Sequence, residues 1–358
     1  MANIPINLLD SYHLLASVEE VTHVPQFFKD RYFSTGAEDI FAADKVLVEF
    51  KNGDEEMAPF VSHRVKDIPV ERGGYEVHEL QPAYIGLSRI LTADQLSQRG
   101  FGEAILPNSS EAERAARLIH NDFIDLDKRI RRREEWMSVQ TILNNGLDMQ
   151  EYIDAKTKGE LLHIRYYGDK SDHKYTVAKK WDSADGHMYG DIRAMAKSLT
   201  SRGLKASDLV VGSTVADFLL DDPKIRELLD KNSGVTVGSL NPTIEANGVS
   251  VLGSLNFGGH KLTIICVDET YRGENGVRIP YYPANSVTVT APGCGCTKYA
   301  QITQWDHGSE MPTTYAKARV PKLIVDYDHD ERKLRLGSRP LTVPRNYCPF
   351  VTADNVVG

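Results

Sequence analysis

Residues 108–146 read NSSEAERAARLIHNDFIDLDKRIRRREEWMSVQTILNNG, and the arrangement of everything else follows from how this stretch folds. Ala112, Ala116, Ile119, Phe123, Leu126, Ile130 and Met137 recur in steps of three, four and finally seven, which places them in one stripe along an α-helix, with a gap at Arg133. Ser110 and Glu113 make a capping-box pattern at the start, and Asn144-Asn145-Gly146 closes the end, with Gly146 suited to a left-handed cap. The spacing predicts one unbroken helix of about 37 residues, roughly 55 Å at 1.5 Å per residue. An ordinary globular helix has about 11 or 12 residues. No second long helix follows to form a coiled coil, so the stripe predicts packing along a sheet.

The residues before the helix cannot make a core by themselves. In Met1 to Asp44, Ile6, Leu9, Tyr12 (or His13) and Ala16 have helical spacing, and an aromatic group follows at Phe27, Phe28, Tyr32 and Phe33. Lys45 to Pro107 breaks into extended runs: Val46 to Phe50, a turn at Asn52-Gly53, Met57 to Val61, Val65 to Val70, a turn at Gly73-Gly74, and Tyr75 to Leu80. Two hairpins with no hydrophobic body behind them make a projecting arm, because an isolated hairpin is marginal in water. The pattern predicts a subunit whose parts are completed by its neighbours.

After the helix, Leu161 to Tyr167 and Lys174 to Ala178 flank Gly168-Asp169 and read as a hairpin. The pattern then changes to helices at Tyr189 to Ser201, Ser213 to Leu220 and Pro223 to Lys231, around a buried strand at Asp208 to Val211. Strands follow at Val249 to Leu252, Leu262 to Asp268, Ile279 to Tyr282 and Ser286 to Thr290, which together describe a compact α/β unit. Leu323 to Leu336 alternates around His329-Asp330 and predicts a hairpin returning to an earlier sheet.

At 358 residues, 41 % of them apolar, the chain has material for about two domains. It holds no apolar run of bilayer length, and its first residues lack the pattern of a signal peptide, so a soluble protein made in a cytoplasm is expected. The formal charge of −8 disfavours condensation on nucleic acid but suits a wall that encloses it. Four cysteines, Cys266, Cys294, Cys296 and Cys348, are too few for a disulfide framework and are expected as free thiols.

No phosphate-binding loop, dinucleotide turn, nucleophile elbow or HExxH is present. The sharpest metal candidate, Cys294 and Cys296 with Cys266 and His307, has the wrong spacing for a zinc knuckle, and Cys266 sits in an apolar strand. Asp326 to Asp330 starts like a calcium loop but fails at Glu331, where glycine is needed, and at Gly337, where a glutamate is needed. Arg129, Arg131, Arg132 and Arg133 lie among Asp122, Asp125, Asp127, Glu134 and Glu135, a mixed face suited to solvent or salt bridges more than to phosphates. The histidines are scattered, and Asn108 in its Asn-Ser-Ser sequon has no consequence without secretion. No catalytic, cofactor or metal residue is therefore expected. A thiol or metal enzyme built on Cys294, Cys296 and His307 is the rival from another class.

Met57-Ala58-Pro59-Phe60-Val61, Pro82-Ala83-Tyr84-Ile85 and the long charged helix, taken in order, resemble the lambda-type major capsid proteins of tailed bacteriophages. Lys180-Trp181 before Asp191, Val267-Asp268-Glu269-Thr270-Tyr271 with Gly276 and Pro280, and Ser338-Arg339-Pro340-Leu341 with Val343-Pro344 extend the resemblance from about Pro25 to the end. It implies the α+β Hong Kong 97 type capsid fold: an N-terminal arm at 1–44, an extended loop at 45–107, a peripheral domain at 108–185 with its spine helix at 109–145 and a hairpin, an axial domain at 186–321, and a C-terminal return at 322–358. It also implies a non-enzymatic shell subunit that forms hexamers and pentamers with itself, meets a scaffolding protein, maturation protease, portal and decoration protein, and encloses double-stranded DNA. The location implied is the virion capsid, with host cytoplasm during assembly. Lys45, Lys51 and Lys66 lie in the loop without a motif for the lysine–asparagine cross-link of some relatives, so non-covalent assembly is expected. A ring or tail component of a phage is the second alternative.

Overall fold

The computed structural model describes residues 26–51, 75–92, 111–153, 157–167, 172–222, 225, 238–246, 248–273, 275–327 and 331–358. The Ile6 to Ala16 stripe, the runs at Met57 to Val61 and Val65 to Val70 with their turns, Ser110, Gly168-Asp169, most of Pro223 to Lys231, and His329-Asp330 lie outside these residues.

The chain enters through a six-residue helix, α1 (Phe27–Tyr32). Strand β1 (Val46–Lys51) then pairs antiparallel with β2 (Tyr75–Leu80), Val46 facing Leu80 and Lys51 facing Tyr75. The two strands pair with each other directly, a pairing absent from the two-hairpin reading. Burial of Val46 and Val48 anchors the pair to the body. Strand β3 (Ile85–Thr92), not expected from the sequence, follows. Its alternation of Ile85, Leu87 and Leu91 with Gly86 and Ser88 is a weak signal alone, and it becomes a strand by pairing with a segment far along the chain.

The long helix is α2 (Glu111–Asn144), 34 residues. It ends differently from expectation: Asn145 takes the left-handed conformation, at φ 51°, while Gly146 already starts the next strand. Gly146 is needed for closeness instead, since a Cβ there would lie 2.2 Å from the Ile164 carbonyl oxygen. Strands β4 (Gly146–Tyr152) and β5 (Lys158–Arg165) form the hairpin after the helix. The expected partner, Lys174 to Ala178, is not in it; Lys174 makes an isolated parallel bridge to Thr352. Leu147 and Met149 decide the matter, because pairing with β5 buries them with Ile164 and Tyr166.

Helix α3 (Met188–Thr200), β6 (Asp208–Gly212), α4 (Ser213–Asp221), β7 (Gly238–Ala246), β8 (Val249–Phe257), β9 (His260–Val267), β10 (Thr270–Arg272), β11 (Arg278–Pro280) and β12 (Val287–Thr290) follow. Next come β13 (Gly295–Tyr299), β14 (Ile302–Gln304), β15 (Thr313–Tyr315), β16 (Val320–Asp326), β17 (Glu331–Ser338), β18 (Pro340–Pro344) and β19 (Val351–Ala353). The order β19-β12-β6-β9-β8-β7 makes a six-stranded sheet in which only β6 and β9 run parallel. Both faces are covered, which is why β6 is wholly apolar through Leu209, Val210 and Val211. On one face Ile192, Met195 and Leu199 of α3 and Val215 and Leu219 of α4 meet Leu209, Val211 and Ile264. Val210, Val249, Ile265 and Val267 on the other face meet Phe28 and Tyr32 of α1 and Val139 and Ile142 of α2.

Helix α2 therefore serves three clusters of the core. Its first half lays Ile119, Phe123, Leu126 and Ile130 on Leu91, Leu323, Leu334 and Leu336 of the three-stranded sheet β16-β17-β3, the packing along a sheet that its stripe predicts. The second half is enclosed nearly all round, with Met137, Val139, Ile142 and Leu143 buried alongside the polar Glu134, Glu135, Ser138 and Thr141. The C-terminal segment is shared out: β16 and β17 lie under the first half of α2, β18 pairs with β13, and β19 edges the six-stranded sheet.

Candidate functional site

The apolar stripe breaks at Arg133 because charged residues take over the buried side of α2. Glu134 is fully buried, and Arg319 grips it with two prongs, Nη1 to Oε1 at 2.7 Å and Nη2 to Oε2 at 2.9 Å. Lys29 of α1 donates to Oε2 at 2.6 Å and Tyr299 of β13 donates to Oε1 at 2.8 Å, so both oxygens are satisfied twice. Arg319 also donates through Nε to Asp127 at 2.7 Å, and Asp127 in turn accepts from Arg131 at 2.6 Å. Burial works to raise the Glu134 pKa, but Arg319 and Lys29 outweigh it and hold the carboxyl well below the usual carboxylate range. Burial likewise opposes the Lys29 and Arg319 charges, and Glu134 more than restores them.

Glu135, one residue on, is 3 % exposed and has a different set of partners. Its Oε1 accepts the backbone N–H of Phe28 at 2.7 Å and its Oε2 that of Lys29 at 3.0 Å. Burial raises its pKa to about 7, with Glu269 and Asp30 adding to the shift and the two N–H groups opposing it. Gln26 adds a hydrogen bond to the Arg131 carbonyl.

The far side of α1 reaches the six-stranded sheet and β13. Arg31 donates to Asp208 at 2.7 Å, and the Tyr32 hydroxyl donates to the same oxygen at 2.9 Å. Phe28 stacks on Tyr282, with ring centroids 6.1 Å apart. Thr297 donates to the Phe33 carbonyl at 2.9 Å, and Gly293 N–H to that of Arg31 at 2.9 Å. The short helix is thus a joint that ties the spine to the sheet. In the sequence its aromatic group marks the segment but not its place; the signal for its charged contacts is Glu134-Glu135 interrupting an apolar stripe.

The residues weighed for chemistry do not converge. Cys294 and Cys296 are buried free thiols, pushed up by burial to about 12 and about 11, while Cys266 sits in β9. His307 is exposed in a turn, and among the described residues no group of three or more His, Cys, Asp or Glu is placed to hold a metal ion. Asp326 ends β16, and residues 328–330 lie outside the described part. The arginine run is divided: Arg131 pairs with Asp127, Arg133 lies 5.1 Å from the centre of the Trp136 ring, and Arg129 and Arg132 are exposed. Lys45 pairs with Glu79 at 2.9 Å, Lys51 ends β1, and Lys66 lies outside the described residues. Among the described residues no helix is long and apolar enough to cross a membrane.

A long helix bridging a small sheet and a double-faced one is an arrangement shared with solved structures. The chain is similar to a protein of an E. coli CFT073 prophage described as its capsid protein, at 17 % identity and a TM-score of 0.66, covering 98 % of this chain and 99 % of that one. It is also similar to a phage-related protein of Bordetella bronchiseptica RB50, at 11 % identity and a TM-score of 0.53, covering 97 % of each. The architecture is the α+β Hong Kong 97 type capsid fold. The phage major capsid protein E profile matches residues 10–355, and this chain belongs to that family. Its role is therefore structural, the formation of a capsid shell, and it is not an enzyme. No curated protein matches the chain in sequence.

Proposed function

We propose that this chain is the major subunit of the icosahedral head of a tailed phage, assembling through non-covalent contacts around double-stranded DNA. The observation that carries this is the β1–β2 stem: two strands, paired only with each other among the described residues, from which residues 52–74 continue. A two-stranded ribbon of this kind gains stability by lying on another surface. In a lattice the neighbouring copy supplies that surface, and many weak contacts add up to a stable shell.

The division into arm (1–44), extended loop (45–107), peripheral domain (108–185), axial domain (186–321) and return (322–358) follows the family resemblance. The packing of α2 on both the three-stranded sheet and the six-stranded sheet supports it, with β19 lent by the return to the six-stranded sheet. Hexamers and pentamers of this chain, a scaffolding protein, a maturation protease, a portal and a decoration protein are the proposed partners, with assembly in the host cytoplasm. The charge of −8 supports a wall that holds DNA without sequence-specific binding. Electron microscopy of the overexpressed chain, with and without its scaffold, tests the proposal. Closed particles or curved sheets are expected; soluble monomers under every assembly condition would refute it.

A further inference from the structure

The three-stranded sheet β16-β17-β3 has a second face. Leu91, Leu323, Leu334 and Leu336 point to α2, and Arg89 on the same side reaches Asp122 and Asp125. Side chains alternate along a strand, so Ser88, Ile90, Lys322, Ile324, Lys333 and Arg335 occupy the side away from the helix. Lys322 and Arg335 stand directly opposite each other in the register, a like-charge pair that costs stability. Arg335 donates to the neutral Gln304 at 3.1 Å, and its Nε is buried without an acceptor. Asp306 offsets part of the Lys322 charge but is itself held by the Tyr315 hydroxyl at 2.6 Å, and Asp326 and Glu331 border the face at its turn end. Lys333 is exposed, and neither lysine makes an ion pair among the described residues. Ile90 is 46 % exposed, and the Tyr84 ring lies over the cross-strand pair Gly86 and Gly337, so apolar surface adjoins the cations.

The β4–β5 hairpin shows the opposite pattern. Met149 and Leu162 pack one side of its base against the body. Further out, alternation and the Tyr152–Lys158 pair put Glu151, Tyr152 and Glu160 on that same side, now uncovered. The two carboxylates meet in the irregular step of the ladder, between the pairs Gln150–Leu161 and Tyr152–Lys158. Both are exposed and make no ion pair among the described residues, with Lys158 beside them as a partial counter-charge.

We propose that the outer end of this hairpin in one copy seats on the outer face of β16-β17-β3 in the next, with Glu151 and Glu160 meeting Lys322, Lys333 and Arg335 while Tyr152 covers Ile90. Each patch holds like charges together in the single chain, and contact between copies relieves both at once. A nucleic-acid backbone also answers cations, but the apolar surface around these and the net charge of −8 favour a protein occupant. The inference rests on the reading of the chain as a lattice subunit and names one contact of that lattice.

Charge reversal of the full-length chain tests it. Glu151→Lys with Glu160→Lys, and separately Lys322→Glu with Lys333→Glu, should each raise the subunit concentration needed for assembly by about tenfold or more. All four changes in one chain should restore assembly, since every copy then offers both reversed patches. Undiminished assembly in either pair, or no recovery with all four, would overturn the inference while particles of the unaltered chain keep the capsid reading standing. Failure of the unaltered chain to assemble defeats both. Normal assembly with loss of DNA retention in Lys322→Glu with Lys333→Glu would assign the face to phosphates and also overturn it. A second measurement needs no variant: carbodiimide treatment of particles mixed from isotope-labelled and unlabelled copies should join Glu151 or Glu160 of one copy to Lys322 or Lys333 of another. Absence of such links between copies counts against the contact.

Discussion

Arg319 and Glu134 form a buried, two-pronged ion pair across the seam between the spine helix and the start of β16, with contacts of 2.7 Å and 2.9 Å. Residues 185 positions apart thereby fix the middle of α2 against the loop that begins the three-stranded sheet. Lys29 and Tyr299 close the remaining sides of the carboxylate, so four elements of the chain converge on one side chain.

Removing one member of such a pair strands its partner's charge in the interior. Arg319→Met is expected to lower stability by about 3 to 5 kcal/mol. Arg319→Lys should recover little of this, because an ammonium cannot reproduce the fork that meets both oxygens. Urea unfolding of the unassembled subunit measures both, and a lysine variant as stable as the original chain would show that the fork is unimportant.

The same carboxylate sets an acid limit. Its pKa is depressed in the fold, so its contribution to stability is complete above its unfolded value near 4.5 and is lost as pH falls toward the depressed value. Thermal unfolding of the original chain and of Glu134→Gln should differ widely at pH 7, and the gap should start to narrow only as pH falls below about 4.5. A gap that stays constant with pH would mean that shape, and not charge, is what the site requires.

Gly295 allows α1 to dock. A Cβ at this position would lie 2.3 Å from Cδ1 of Phe33, which is wholly buried. Gly295→Ala is expected to cost about 1 to 3 kcal/mol through overpacking. Combined with Phe33→Ala it should cost less than the sum of the two changes, since the ring clash is gone while the 2.8 Å approach to the Val343 carbonyl oxygen remains. Strict additivity in a double-mutant cycle would place the strain elsewhere.

The cysteines supply a check on the enzyme alternative. With Cys294 and Cys296 buried and their thiols raised by burial to about 12 and about 11, alkylation of the native chain near pH 7.5 should reach the half-buried Cys266 first. Cys296→Ser should form particles as the original chain does. Stoichiometric zinc that disappears in Cys296→Ser would instead revive a metal centre.

Legibility from sequence tracked distance along the chain. The stripe from Ile119 to Ile130 announced both the long helix and its bed on a sheet, because a 3.6-residue period is written in contiguous residues. The helices now seen at Met188–Thr200 and Ser213–Asp221, and the strand at Asp208–Gly212, were likewise readable within a residue or so. Strand β3 was not, for its partner β17 lies more than two hundred residues away. The hairpin after α2 was misplaced because Lys174 to Ala178 has as good a local pattern as Gly146 to Tyr152, and only burial of Leu147 and Met149 separates them.

Amino-acid order by itself determined the period of the helix, the apolar strands of the double-faced sheet, the scarcity of chemistry-bearing motifs and, through motif order, the resemblance to a capsid family. Tertiary structure decided who pairs with whom: β1 with β2, β19 with β12, and α1 with the spine. It also decided that cations hold the Glu134 carboxyl well below the usual carboxylate range, while burial pushes that of Glu135, next to it, up to about 7. The reason is physical: periodicity belongs to neighbouring residues, but a buried charge takes its character from whichever distant donors folding brings to it.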